Sequence, residues 1–172
     1  MRITIVGCSG SMSGPASAAS CYLVQADSTD EAGRTRTHSL VLDLGPGAMG
    51  RLLNYLDPAD LDAVALSHLH ADHCTDIVGM QVYRRWIPGG PLDRIPVYSP
   101  QDGLARTRQI GGDPQEETYA GEFDFHTIGP GDVVEVGPML VEAFEAEHTV
   151  PAVGLRIMGP SESDPRDRKS VV

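Results

Sequence analysis

Ser67-His68-Leu69-His70-Ala71-Asp72-His73 packs three imidazoles and a carboxylate into six residues, directly after the apolar run 63–66. Neutral imidazole nitrogen and carboxylate oxygen are standard ligands for zinc and similar divalent ions. A strand end that turns into a loop lets alternate side chains converge on one point. The ordinary alternatives are a solvated polar loop, or histidines that satisfy a helix start. Few structural needs call for this density of imidazole, so the stretch reads first as a metal site. One chemistry such a site can support is hydrolysis, in which a bound divalent ion would activate water and stabilise developing oxyanions.

Other residues are placed to join such a centre. Asp43 follows an apolar run and precedes Gly45-Pro46-Gly47. Its carboxylate either orients a ligand histidine through the ring nitrogen that does not bind metal, or forms the turn before Gly-Pro-Gly. The loop 7–14 offers backbone N–H groups and the hydroxyls of Ser9, Ser11 and Ser13 to a phosphate. It lacks a Walker lysine, so it is no nucleotide P-loop, and a simple turn is the alternative. Cys74 reads as a small hydrophobe at a helix start in preference to a ligand or nucleophile. His38 and His126 lie outside any motif and read as surface residues, and the carboxylate-rich stretch 113–122 reads as a solvated face.

The elements that must hold these groups are mostly strands. Short β-branched or apolar runs recur between Gly, Pro and Asp at 3–6, 22–25, 40–44, 63–66, 95–98, 133–136, 140–144 and 153–158. Two segments have helical spacing: 47–56, with Met49, Leu52, Leu53 and Leu56, and 75–86, with Ile77, Met80, Tyr83 and Ile87 on one side. The polar stretch 28–38 predicts a long exposed hairpin loop. This order predicts an α/β layered domain with helices covering sheet faces. A domain over 1–158 and a polar tail over 159–172 follow, with Val171-Val172 opening a further strand.

The 172 residues suffice for one domain. With 13 basic against 24 acidic residues the formal charge is −11. That balance excludes binding of nucleic acid through a broad basic face, which needs clustered Lys and Arg. Cys8, Cys21 and Cys74 are too few and scattered for a disulfide scaffold, so a reducing cytoplasm is expected. No run approaches the length of a membrane span, and a homodimer is compatible with the composition.

His-x-His-x-Asp-His after a strand resembles the metal signature of the metallo-β-lactamase superfamily. Gly7-Cys8-Ser9-Gly10-Ser11, Leu42-Asp43-Leu44-Gly45-Pro46-Gly47 and His148-Thr149-Val150-Pro151-Ala152-Val153-Gly154-Leu155-Arg156 fall in the order of its ribonuclease Z and cyclic-nucleotide phosphodiesterase branches. The resemblance covers nearly the whole chain. It implies an αββα sandwich, incomplete in its C-terminal half, because members continue into a strand bearing a metal-bridging aspartate and then a last histidine. Position by position it gives His68, His70 and His148 to one ion, and Asp72 and His73 to a second. The run 139–147 supports His148 independently: it would share a strand face with Leu140, Phe144 and Ala146 and sit at the strand's end.

The function expected is a phosphodiesterase using one or two divalent ions, zinc first and manganese or iron as alternatives. Asp72 serves as general base toward the attacking water if the second ion is absent. The acidic chain favours a small diester such as a cyclic nucleotide over transfer RNA. A ribonuclease Z-like endonuclease is the second reading. A non-catalytic metal-binding module, completed by a partner, is the third.

Overall fold

Leu40 and Val41 are adjacent and both fully buried, as are Ala63, Val64 and Ala65. Neighbouring strand residues point to opposite faces, so both faces of this sheet must be covered. Val41 and Val64 pack beneath helices with Leu23 and Met80. Leu40, Ala63 and Ala65 pack against Met139, Val141 and Ile157 of a second sheet.

The computed structural model describes residues 1–160 and the backbone of Arg168–Val171. The first sheet contains β1 (Arg2–Gly7), β2 (Cys21–Thr29), β3 (Thr35–Leu42), β4 (Ala63–Ala65), β5 (Ile95–Ser99) and β6 (Phe123–Thr127), in that spatial order. The β1–β2 and β2–β3 pairs are antiparallel, and β3 to β6 run parallel. Parallel neighbours need crossovers. These are α1 (Ala48–Leu52) after β3, α2 (Ala71–Cys74) and α3 (Ile77–Trp86) after β4, and α4 (Gly103–Gly111) after β5. The second sheet is antiparallel, with β7 (Val133–Val136), β8 (Met139–Glu145), β9 (Val153–Pro160) and β10 (Arg168–Val171) in the order β10-β9-β8-β7. The architecture is α/β, with helices, sheet and sheet stacked in layers. Among the described residues no helix is long and apolar enough to cross a membrane.

Several expectations need correction. The hairpin after β2 is not a long loop: pairing continues to Thr29↔Thr35. Asp30 closes the short turn by accepting from Ala32 N and Arg34 N, both at 2.9 Å. The first helix is shorter than 47–56, because the Asn54 amide takes the Arg51 carbonyl at 3.0 Å and competes with the backbone. The helix expected over 75–86 forms as α3 from Ile77, and a separate short helix, α2, precedes it inside the histidine motif. On α3 the buried side is Ile77, Met80, Gln81 and Arg84. Arg84 is sheathed and donates to the carbonyls of Pro58 and Asp93.

The acidic stretch 113–122 is a solvated face only in part: Asp113 and Glu116 are exposed, but Glu117 and Glu122 are not. Glu122 is buried and takes two bonds from Arg85, at 2.7 and 2.9 Å, and Glu117 takes two more. This fork pins α3 to the segment entering β6. His38 is partly buried, with Ser28 Oγ 2.9 Å from its Nε2, whereas His126 is exposed and stacks on Tyr98. The polar tail expected over 159–172 begins as strand: Gly159 and Pro160 complete β9, and the backbone of Arg168–Val171 pairs with it. Residues 161–167 and Val172 lie outside the described residues.

Candidate metal centre

The site lies beyond the carboxyl ends of the parallel strands, where open α/β sheets place ligand crevices. Asp43 follows β3, and its N–H donates to Ala65 O at 3.0 Å, carrying the ladder one residue further. Its backbone is left-handed (φ 58°), uncommon for a residue other than glycine, and the side chain is almost fully buried. The carboxylate accepts from Ser67 N (2.8 Å), Ser67 Oγ (3.0 Å), Ser20 Oγ (3.2 Å) and His73 Nδ1 (2.6 Å). Asp43 therefore orients His73 directly and reaches His68 through Ser67, whose Oγ lies 3.0 Å from His68 Nδ1. Sequence reasoning missed Ser67 and Ser20. The only available signal was Ser67's place beside His68.

Three backbone bonds clamp the turn after Asp43 onto its surroundings: Leu44 N to His73 O (2.7 Å), Gly45 N to Ser20 O (3.0 Å) and Asp76 N to Leu44 O (2.9 Å). A Cβ at Gly45 would stand 2.0 Å from the carbonyl oxygen of Asp72. Glycine is what allows this approach. Gly45→Ala should lower the denaturant midpoint by the equivalent of about 1–3 kcal/mol and displace Asp72 and His73. An unchanged midpoint in urea unfolding would show that the turn yields freely.

His148 arrives from the second sheet. The β8–β9 connection lies across the end of β4, where Val153 N donates to Ser67 O at 2.9 Å and His68 bridges Ala152. His148 Nε2 stands 3.1 Å from His70 Nδ1, and one nitrogen from each of His68, His70 and His148 lies within 4.8 Å of the others. Ring centroids are 4.4 Å apart for His68–His148 and 4.9 Å for His70–His148. Two imidazole lone pairs at 3.1 Å need a positive partner between them, either a proton or a metal ion. Nitrogens about 2.0–2.1 Å from a tetrahedral ion sit roughly 3.3–3.4 Å apart, so the His70–His148 pair stands near ligand spacing, with a His68 nitrogen within 4.8 Å as the third donor. The strand-face argument for His148 needs correction: β8 turns Met139, Val141 and Ala143 inward, with Leu140 and Phe144 on the other face. His148 lies three residues past the strand, and its connecting loop brings it to the site.

A family model described as the beta-lactamase superfamily domain matches residues 38–165, most of the chain. The chain belongs to the metallo-β-lactamase superfamily. An uncharacterised protein of Mycobacterium tuberculosis is 38% identical over 168 residues, which cover 94% of this chain and 56% of that one. The ribonuclease Z of Methanopyrus kandleri is 30% identical over 131 residues, 74% of this chain and 43% of that one. The crystal structure of the metallo-β-lactamase fold protein YhfI of Bacillus subtilis superposes with a TM-score of 0.70 at 25% identity, covering 90% of this chain and 57% of that one. The chain thus spans about half the length of the curated relatives it matches.

This superfamily member holds a pair of polar side chains, Asp72 and His73, beside the three histidines. His73 Nε2 and Asp72 Oδ2 are 3.5 Å apart, and the His73 ring centroid is 4.0 Å from that of His68. Asp72 and His73 face a cavity of about 240 Å³ shared with Cys8, Ser11, Ser20 and Tyr22. The 7–14 loop therefore overhangs this pair, although Ser9 Oγ is spent internally on the carbonyls of Met12 and Ala18, both at 2.7 Å. Cys74 is buried, its thiol bonded to His70 O at 3.1 Å and pushed up in pKa by burial. It packs as the small hydrophobe expected.

Electrostatics sort the histidines. Burial and the neighbouring His73 hold His68 down to about 4, so its imidazole is neutral and able to donate a lone pair at neutral pH. The hydrogen bond to Asp43 raises His73. Since the carboxylate can only accept, Nδ1 carries a proton and the lone pair of the neutral ring is directed from Nε2 toward Asp72.

Proposed function

We propose that this chain carries the metal centre of a phosphodiesterase acting on a small diester such as a cyclic nucleotide. The observation that supports it most is the meeting of His68, His70 and His148 from two different sheets at ligand spacing. These three would hold one ion, zinc first, and Asp72 with His73 would contribute to a second. A divalent ion held there would lower the pKa of water toward about 7 and offset charge on phosphoryl oxygens. The protein's own contributions are separate. Asp43 and Ser67 fix the imidazole orientations, and Asp72 accepts a proton from the attacking water where no second ion holds it.

The relatives named as ribonucleases favour phosphodiester chemistry. They also supply the second reading, a ribonuclease Z-like endonuclease, against which stands a formal charge of −11. All three cysteines are unpaired, consistent with residence in the cytoplasm. The test is turnover of a cyclic nucleotide, of bis(p-nitrophenyl) phosphate and of a transfer RNA precursor by the metal-loaded chain, with and without chelator. Chelator-sensitive hydrolysis of the two small diesters is expected. Cleavage of the precursor alone would favour the ribonuclease, and bound metal with no turnover would leave a non-catalytic module.

A further inference from the structure

A second cleft adjoins the histidine cluster. A cavity of about 420 Å³ opens beside His70, between the histidine turn and α4, and Arg106 lines it. Arg106 Nε donates to Leu69 O at 3.0 Å, and Nη1 lies 3.3 Å from Gln109 Oε1. Leu69 sits between two of the candidate ligands, so the guanidinium is anchored on the backbone of the metal-binding turn itself. These bonds use two of its five N–H donors. Arg106 has no carboxylate within ion-pair distance, a condition it shares among the described residues with Arg2, Arg51, Arg84, Arg94 and Arg108; what distinguishes it is its place beside His70 on the metal-binding turn. The one carboxylate lining the cleft, Asp102, caps α4 by accepting from Ala105 N at 2.9 Å.

We infer that Arg106 grips a phosphate of the substrate in the cleft beside His70, making it the residue that selects an anionic ligand. The inference rests on the proposed phosphodiesterase and names the recognition element of the same site. A guanidinium held at Nε and one Nη1 proton presents its remaining face as a fork, the geometry that matches phosphate oxygens. The anchoring contacts fix that fork before ligand arrives, which reduces the ordering cost of binding.

The test is calorimetric titration of adenosine 5′-monophosphate into the metal-loaded 172-residue chain, comparing wild type with Arg106→Gln and Arg106→Lys. Arg106→Gln should weaken binding about 10- to 100-fold, the range for losing hydrogen bonds to a charged group. Arg106→Lys, which keeps charge and loses the fork, should retain part of the affinity. Loss of the bond to Leu69 O should lower the melting temperature modestly in Arg106→Gln, and metal content, measured on the same samples, should stay at the wild-type level. The salt dependence of binding should be steeper in wild type than in Arg106→Gln. Equal nucleotide affinity in wild type and Arg106→Gln, loss of metal from the variant, or a wild type that binds no nucleotide would each overturn the inference. Turnover distinguishes the two claims. Arg106-dependent nucleotide binding without diester hydrolysis would defeat the phosphodiesterase and leave this site standing, whereas hydrolysis unaffected by Arg106→Gln would do the reverse.

Discussion

Replacing His148 by alanine should strip the ion from the histidine cluster while leaving the melting temperature of the metal-free protein almost unchanged. The residue is exposed, on a loop three residues past β8, and its ring touches only His68 and His70 among the cluster. Substitutions at such positions usually shift stability by no more than about 0.5 kcal/mol. Its value to the site is as the ligand contributed by the second sheet. With two imidazoles left, the ion loses the three-protein-ligand arrangement that catalytic zinc sites use. Turnover should fall by about a thousandfold or more, because water reverts from a pKa of about 7 toward about 15.7. Metal analysis after dialysis, melting curves and diester turnover on the same samples make the check. Full metal content and full activity in the variant would remove His148 from the centre. His68→Ala is a poorer test, since that ring is buried and its loss also opens space in the core.

What was legible in the sequence follows from how far apart the cooperating residues lie. His68, His70, Asp72 and His73 announce themselves because one strand end supplies them all. His148 is 78 residues from its neighbour His70, and only the superfamily resemblance tied it to the motif; the periodicity argument put it on the wrong face of β8. The same distance problem explains the acidic stretch. Glu117 and Glu122 look solvated beside one another, but Arg85, which neutralises both, is 32 and 37 residues away. Helix α4 escaped notice because its buried positions are Gly103 and Thr107, so hydrophobic spacing carries almost no signal. Strand β6, Phe-Asp-Phe-His-Thr, alternates correctly but is only five residues long. Arg106 was invisible for a related reason. Its meaning comes from the Leu69 carbonyl it meets, and a carbonyl has no identity in sequence.

Asp43→Asn should weaken metal binding at the Asp72–His73 position by about 10- to 100-fold with little change in fold, the usual cost of losing a carboxylate behind a ligating histidine. The variant is isosteric, and an amide oxygen can still accept from Ser67 N. The difference falls at the second oxygen, which accepts from His73 Nδ1 at 2.6 Å. An amide nitrogen there donates instead of accepting, so the neutral ring must move its proton from Nδ1 to Nε2 to make the bond. Nε2 is the nitrogen that faces Asp72 at 3.5 Å, and once protonated it has no lone pair to offer. The imidazole stays in place with its donor atom switched off. The pKa of His73, raised by Asp43, should fall in the variant. In the metal-free wild type that raised pKa stabilises the fold fully below the ordinary value of 6.5 and stops doing so as pH rises through the folded value. The variant's stability should therefore depend less on pH in that window. Nitrogen-15 spectra of the metal-free ring report the tautomer directly, and titration with zinc reports the affinity. A variant that keeps the Nδ1–H tautomer and binds two ions as tightly as wild type would return Asp43 to the role of a turn residue held at φ 58°.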